Sequence, residues 1–566
     1  MRRLWLAAVV VAVPAMCAGC GSSPPSAADP AAAVPSGVPF YLEAVVRPAS
    51  PEQHALAVVG ARVLGNPKPL ARLQRLLSFG GHRPRAGSFD RLIGRKVGLF
   101  FAAAQPLEER SATPSQLLAL IREASRGNLF ANPRTPPGAE VFDVGEVAAL
   151  RAFLRSAAGK AAHAVSFLGS RLTVLADGEA AALVGHYLVI GNLLGVERSV
   201  EALKNGHSLR QNQAFAKLRA TAPGGPLAAY LALPKVAAPS PTDRKLGLPP
   251  YLERLIGPPG TAAYLALSLS PSEVRLELDR YPAAADPPTA QETETAAATA
   301  QLFAGLPEAA WLAVAFENLP DAVHKAELAY PLVAPTLSLP LPATVTLAGL
   351  LGALGEGFGG ALSALTGPLQ GVVKALTSHP SALASALRSW LGPAALFIGG
   401  SSLVELNGGV VVASRNEAAA KGAVGSFGKI LSESSYAVRP DRQSPVATAI
   451  AVSLPGLPGG LQIAAGNGKF VAGLGADPLQ AAFSPQGTLG AASTFRQATS
   501  SLGEGLSPRL YLAFPQLTAV LGLLGANSNP SLTPILQRLY ALSTLTVGVG
   551  RSGPLLRTVA VFELSP

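Results

Sequence analysis

Short apolar runs, several of them closed by glycine, alternate along this chain with stretches whose apolar residues recur every three or four positions. The first kind predicts strands and the second helices. In the first half the order is "PFYLEAVV", then "LIGRKVGLFFA", then "EVFDVGEVAALRAFL", a strand entering a helix through a polar turn. "YLVIGN", a helical stretch, "SLRQNQAF", "GPLAAYLAL" and the hairpin-like "AAYLALSLSPSEVRLELDRY" follow. The second half runs through "AAWLAVAF", "WLGPAALFIGG", "VVVASRNEAAAKGAV", "KFVAGLG", "TLGAASTF", "SPRLYLAF" and "LTVGVGRSGPLLRTVAVFEL" in matching order. Leu209 to Phe215 and Leu489 to Phe495 share a spacing of six, and Phe215–Tyr230 and Phe495–Tyr511 are separated by 15 and 16 residues. Such order predicts an α+β fold of two tandem homologous units, each an antiparallel-rich sheet with helices packed on one face. The units are placed at residues 37–281 and 306–566, with the Ala/Pro/Thr-rich segment 282–305 between them as a linker or short exposed helix.

The amino-terminal pattern is different. In "MRRLWLAAVVVAVPAMCAGCGSSPPSAADP", two arginines precede an uncharged apolar run of 15 residues, Leu4 to Ala18. Crossing a bilayer takes about 20 apolar residues, so this run reads as a secretory signal rather than a span. "CAGC" resembles the lipobox of bacterial lipoproteins, with Cys17 where that pattern prefers leucine. The resemblance implies cleavage after residue 19 and diacylglyceryl and fatty-acyl modification of Cys20. The chain has two cysteines, both in this stretch, so cleavage there leaves Cys20 as the sole thiol. Cutting nearer "AADPAAA" is the alternative. Residues 20–36 then read as a flexible tether of about 50 Å reach, holding the body at the outer face of the cytoplasmic membrane.

The body, from about Val38 onward, resembles exported actinobacterial proteins grouped as domain of unknown function 3352. The "LG" strand, the strand-to-helix turn, the "VIG" strand and the "SL…F" helix carry the resemblance. It implies export and a shared fold. That family has no established activity, so it assigns no catalytic residue.

Hydrophobic residues make up 49% and charged residues 14% of the chain, enough apolar surface for a sizeable core. Its formal charge is +11, and the excess sits early: residues 21–280 hold 29 basic and 19 acidic side chains, against 14 and 12 in residues 306–566. Between residues 72 and 96, Arg72, Arg75, Arg83, Arg85, Arg91, Arg95 and Lys96 face Asp90 alone. They are candidate contacts to an anionic surface such as lipid headgroups, or simply a solvated arginine-rich face. Nucleic acid is not an expected partner of an exported protein. A second candidate is the leucine stripe that includes Leu347, Leu351, Leu354, Phe358, Leu362 and Leu365. Six glycines between residues 349 and 360 interrupt it at about 1 kcal/mol each in a helix interior. It reads either as core or as a surface for an apolar ligand or bilayer.

Chemistry is sparse. "GVGRSG" (residues 548–553) fits a dinucleotide pattern but lies between strand-like runs, where a hairpin turn is the simpler reading. "DGE" at 177–179 reads as a turn, and seven histidines are scattered without ligand spacing. No catalytic residue, cofactor or metal is expected. The sequence therefore predicts a non-catalytic envelope lipoprotein binding an apolar or lipid ligand or an envelope partner. A purely structural or interaction module, and a hydrolase whose site is not visible in sequence, are the alternatives.

Overall fold

The computed structural model describes residues 29–65, 93–102, 137–157, 163–174, 178–222, 224–232, 260–282, 289–317, 389–402, 404–454, 459–523 and 533–566, with 371, 372, 375, 387, 525 and 527. The fold is α+β, built on antiparallel strands. Two compact units divide the chain, residues 1–286 with 551–558 and residues 287–550 with 559–566.

In the first unit the strands are β1 (Phe40–Val45), β2 (Ile93–Phe101), β3 (Gly138–Val144), β4 (His163–Phe167), β5 (Ser170–Val174), β6 (Glu179–Val184), β7 (Tyr187–Asn192), β8 (Leu227–Ala232), β9 (Ala262–Leu269) and β10 (Glu273–Tyr281). Their antiparallel pairings run β4-β5-β6-β7-β3-β2-β1-β8-β9-β10. The helices are α1 (Ser50–Leu64), α2 (Val147–Ala157), α3 (Leu193–Asn205) and α4 (Gln213–Thr221). The chain enters α3 through Asn192, whose side chain caps the helix by accepting from the Gly195 amide at 2.9 Å. Glycine is required at this corner. A β-carbon at Gly191 would lie 2.3 Å, and one at Gly195 2.0 Å, from the Gly138 carbonyl oxygen.

The second unit holds β11 (Ala310–Phe316), β12 (Leu391–Gly399), β13 (Asn407–Ser414), β14 (Val438–Pro440), β15 (Thr448–Val452), β16 (Leu461–Gly466), β17 (Lys469–Gly475), β18 (Leu506–Ala513), β19 (Leu542–Ser552) and β20 (Leu555–Leu564), apart from residues 551–558 of the last two, which belong to the first unit. They are ordered β14-β15-β16-β17-β13-β12-β11-β18-β19-β20. Its helices are α5 (Ala290–Ala304), α6 (Glu417–Glu433), α7 (Pro478–Phe483), α8 (Ser493–Ser500), α9 (Phe514–Leu523) and α10 (Thr533–Leu539).

Two expectations are corrected here. Helices cover both faces of each sheet rather than one. In the first unit Ala139 and Val141 of β3 face a core shared with Val196, Val200 and Phe215 of α3 and α4, while Phe142 and Val144 face Leu150 of α2. In the second, Val411 of β13 faces Phe303 and Phe495, and its neighbour Val412 faces Val424 and Leu431 of α6. Strands that are apolar at successive positions need cover on both sides, because a bare apolar face would stay in water.

The other correction concerns segment 282–305. From Ala290 to Ala304 it is a helix, the second of the two readings, but one of 15 residues with Thr299, Leu302 and Phe303 buried rather than short and exposed. Thr289 and Glu292 form a reciprocal capping box: the Glu292 amide donates to the threonine hydroxyl at 3.1 Å and the Thr289 amide to the glutamate at 2.8 Å.

On one face of each unit the core gathers around a phenylalanine. Phe215 meets Tyr230 edge-on at 5.2 Å and 87°, with Tyr41 and Tyr264 at 5.8 and 6.0 Å. Phe495 meets Tyr511 at 5.3 Å and 81°, with Phe303 at 5.8 Å. Edge-to-face contacts of this kind add about 0.5–1.5 kcal/mol beyond the area they bury.

Candidate functional site

Most of the residues singled out from sequence lie outside the described residues: Cys20, the arginines at 72, 75, 83, 85 and 91, and the stripe Leu347, Leu351, Leu354, Phe358, Leu362 and Leu365. Arg95 and Lys96 are described; both are partly exposed and ion-paired. On β2, Arg95 donates to Glu52 of α1 at 2.6 Å, and Lys96 donates to Glu43 of β1 at 2.6 Å. "GVGRSG" lies along β19 and into its turn, where Gly553 has φ 56°, so it is a strand-to-strand connection. His54, His163, His186 and His207 are exposed. Among the described residues no group of three or more His, Cys, Asp or Glu comes together.

The structure instead assembles a site around Asp29, the first of the described residues. Asp29 and Pro30 open a 3₁₀ turn, Pro30–Ala33, in which the Ala31 amide donates to the Asp29 carboxylate at 3.1 Å. The turn is sunk into the first unit: Ala31, Ala33 and Val34 have no exposed surface. Hydrogen bonds from α3 and the loop that follows hold it there. Ser199 donates its hydroxyl to the Ala33 carbonyl, the Leu209 amide donates to the Val34 carbonyl at 2.6 Å, and the Ser36 amide to the His207 carbonyl at 3.0 Å. The Asn212 side chain donates to the Ser36 carbonyl at 3.0 Å. Residues 29–36 are thus a docked element, and the tether expected over 20–36 is corrected at this end. Burial of the apolar turn, with its backbone hydrogen bonds met, outweighs the freedom of a small-residue segment.

An ion-pair cluster clamps its start. Arg219 of α4 donates to Asp29 at 2.6 Å and to the two Glu43 oxygens at 3.1 and 3.2 Å. Tyr41 gives Glu43 a further hydrogen bond at 3.0 Å, and Tyr187 donates its hydroxyl to the Asp29 carbonyl at 3.0 Å. Burial works against the charge on Arg219, but Glu43 and Asp29 outweigh it and hold the guanidinium above its ordinary pKa. Burial, reinforced by Glu43 and Asp29, pushes the Tyr41 phenol well above its usual range. The guanidinium carbon of Arg219 lies over Phe215, 5.5 Å from the ring centre, which ties the cluster to the core. Both carboxylates are occupied by cations and the phenol is locked in its protonated form. This is a clamp for a chain segment rather than an acid–base centre.

A second pair of carboxylates was passed over in sequence. Glu140 of β3 is pushed up to about 7, first by burial and then by the nearby charge of Glu179, the glutamate of "DGE". Their 39-residue separation hides the pair until β3, β7 and β6 stack side by side. Asp29 followed by proline was the legible signal for the clamp, a capping residue with proline at the first helical position.

No family model matches this chain, and no curated protein matches it. Solved structures that match are of TP0453 in crystal forms I, IV and III, at TM-scores of 0.23, 0.22 and 0.23 and identities of 14%, 14% and 11%. They align over 46%, 45% and 47% of this chain and 82%, 80% and 85% of theirs. At these TM-scores they carry no argument about fold or activity.

Proposed function

We propose that this protein is a non-catalytic lipoprotein of the cell envelope. It is exported, anchored through Cys20 to the outer face of the cytoplasmic membrane, and binds an apolar or lipid ligand or an envelope partner. The observation that carries the reading is the leader: two arginines, 15 uncharged residues and "AGC", with Cys20 the last cysteine of the chain. The docked turn at Asp29 supports it, since a docked element nine positions after Cys20 suits a short-tethered lipoprotein.

The same reading includes descent from a duplicated unit, within the family grouped as domain of unknown function 3352. Strand order supports the duplication, because β4-β5-β6-β7-β3-β2-β1-β8-β9-β10 maps position by position onto the order in the second unit. Small features match as well. Isolated bridges join Pro35 to Ser208 and Pro307 to Thr488, each just before a 3₁₀ turn, at Leu209–Gln211 and Leu489–Ala491. One difference bears on function. Where the first unit has Tyr41 opposite Tyr230, the second has Ala313 opposite Tyr511, and two residues along Glu43 is replaced by Ala315. The charged clamp therefore belongs to the first unit.

Radiolabelled palmitate tests the reading. Label is expected in the wild type and in Cys17→Ala and absent from Cys20→Ala; label surviving in Cys20→Ala overturns it. Lipid extraction and native mass spectrometry of the purified protein then ask what co-purifies.

A further inference from the structure

We propose that the end of the first unit at Tyr187 and Asp29 is a bilayer-docking surface for anionic membranes: Leu168 enters the interfacial layer while Lys204 and Arg210 lie over the headgroups. The proposal rests on the lipid anchor at Cys20.

Three observations converge on that surface. The first is tether length. Because residues 29–36 are docked, only the eight residues 21–28 separate Cys20 from the clamp. Fully extended they cover about 30 Å. An acylated cysteine in the bilayer therefore holds the Asp29 end of the unit close to the headgroups.

The second is charge. From Lys204 to Ala222 the chain has four Lys or Arg side chains and no carboxylate. Arg219 is spent on Asp29 and Glu43, and Lys217 rests over the ring of Tyr281 at the opposite edge of the sheet, whereas Lys204 and Arg210 are exposed. Arg210 is close enough to Tyr187 to act on its phenol. These residues belong to the elements that hold the docked turn: Leu209 bonds Val34, Tyr187 bonds Asp29, and Arg219 bonds Asp29. Basic side chains held near an anionic leaflet gain from its surface potential.

The third is a strained apolar tip. Leu168 turns the β4–β5 hairpin with φ 47° and leaves 49% of its surface exposed. Asparagine or glycine takes that conformation at lower cost, and a polar residue there would hide nothing from water. Register puts the tip at the right end of the sheet. Phe167 pairs Ser170, Leu172 pairs Ala182, and Val184 pairs Tyr187, so the tip stands at the level of the tyrosine that holds Asp29. An apolar tip beside basic side chains is the build of an interfacial anchor.

The test uses the mature lipoprotein, in which Cys20 is acylated and an introduced cysteine is the only free thiol. Leu168→Cys and, at the far end of β4, the exposed His163→Cys are each labelled with the environment-sensitive dye NBD. Both are reconstituted into vesicles of phosphatidylcholine with phosphatidylglycerol. A blue shift and several-fold brighter emission are expected at residue 168 and not at 163. The signal should fall in the double variant Lys204→Gln, Arg210→Gln and over pure phosphatidylcholine. Equal emission at the two positions overturns the proposal, as does a signal at 168 indifferent to both charge changes. Palmitate incorporation measured on the same preparation separates the two levels. Label at Cys20 without a shift at 168 defeats the docking surface alone, whereas absence of label defeats the anchor and the surface that depends on it.

Discussion

Replacing Arg219 by Met keeps an apolar side chain of similar length and removes the guanidinium that lies over Phe215 and joins Asp29 to Glu43. An exposed ion pair is worth about 0–1 kcal/mol, whereas stripping one partner from a buried pair costs about 3–5 kcal/mol. This cluster lies between those limits. The Arg219 side chain is 25% exposed and Asp29 20%, while Glu43, at 8%, keeps Lys96 at 2.6 Å and Tyr41 at 3.0 Å. We expect a loss of about 2 kcal/mol, concentrated where the docked turn meets the loop after α3. Native-state hydrogen exchange reads it locally, which matters in a chain of two compact units where one global transition is not assured. The amides of Ser36 and Leu209, bonded across that junction at 3.0 and 2.6 Å, should exchange about 30-fold faster, since 1.4 kcal/mol is tenfold. Arg198→Ala, which breaks a pair with 56% and 42% exposed side chains, should move them by less than about twofold. In a double-mutant cycle with Glu43→Gln, the coupling to Arg219 should be about 1–2 kcal/mol. If Arg219→Met behaves like Arg198→Ala, or the two changes simply add, the cluster does not clamp the segment.

Glu140 titrates near 7 in the folded chain against 4.5 for the ordinary group, so it costs stability as pH rises through that window and nothing below it. Glu140→Gln should be neutral near about pH 4.5 and stabilising at about pH 8, by up to about 3 kcal/mol, less because the residue is only half-buried; thermal melts at the two pH values check the sign. Gly195→Ala should destabilise by about 1–3 kcal/mol because its β-carbon meets the Gly138 backbone, while Gly422→Ala, on α6 with open space around it, should stabilise by about 0.5–1 kcal/mol. Urea titrations of both variants test the contrast, and equal effects would refute the close-approach argument.

Local chemistry was legible in the chain. The strands near Phe40, Ile93 and Leu188 and the helices beginning after Asn192 and Asn212 follow from short-range period and capping residues, which need no distant partner. The glycine of "YLVIGN" was visible as punctuation; its reason, a backbone carbonyl at 2.3 Å from any β-carbon, came from β3, some fifty residues earlier. The capping box of α5 was also readable, as threonine followed three residues later by glutamate, and was outweighed by the alanine- and proline-rich composition around it.

What the chain could not disclose were the partners of its charges and the covering of its sheets. Lys96 and Arg95 look free in sequence because Glu43 and Glu52 lie 53 and 43 residues away; pairing of Val45 with Lys96 across β1 and β2 brings them together. Asp29 and Arg219 are 190 residues apart, and a segment of alanine, proline and serine reads as tether until α3 and α4 close over it. A helix period or a cap is settled by neighbours along the chain, within a few residues. Ion pairing, two-sided burial and the docking of an apolar turn are settled by neighbours in space, which exist only after the strands have paired.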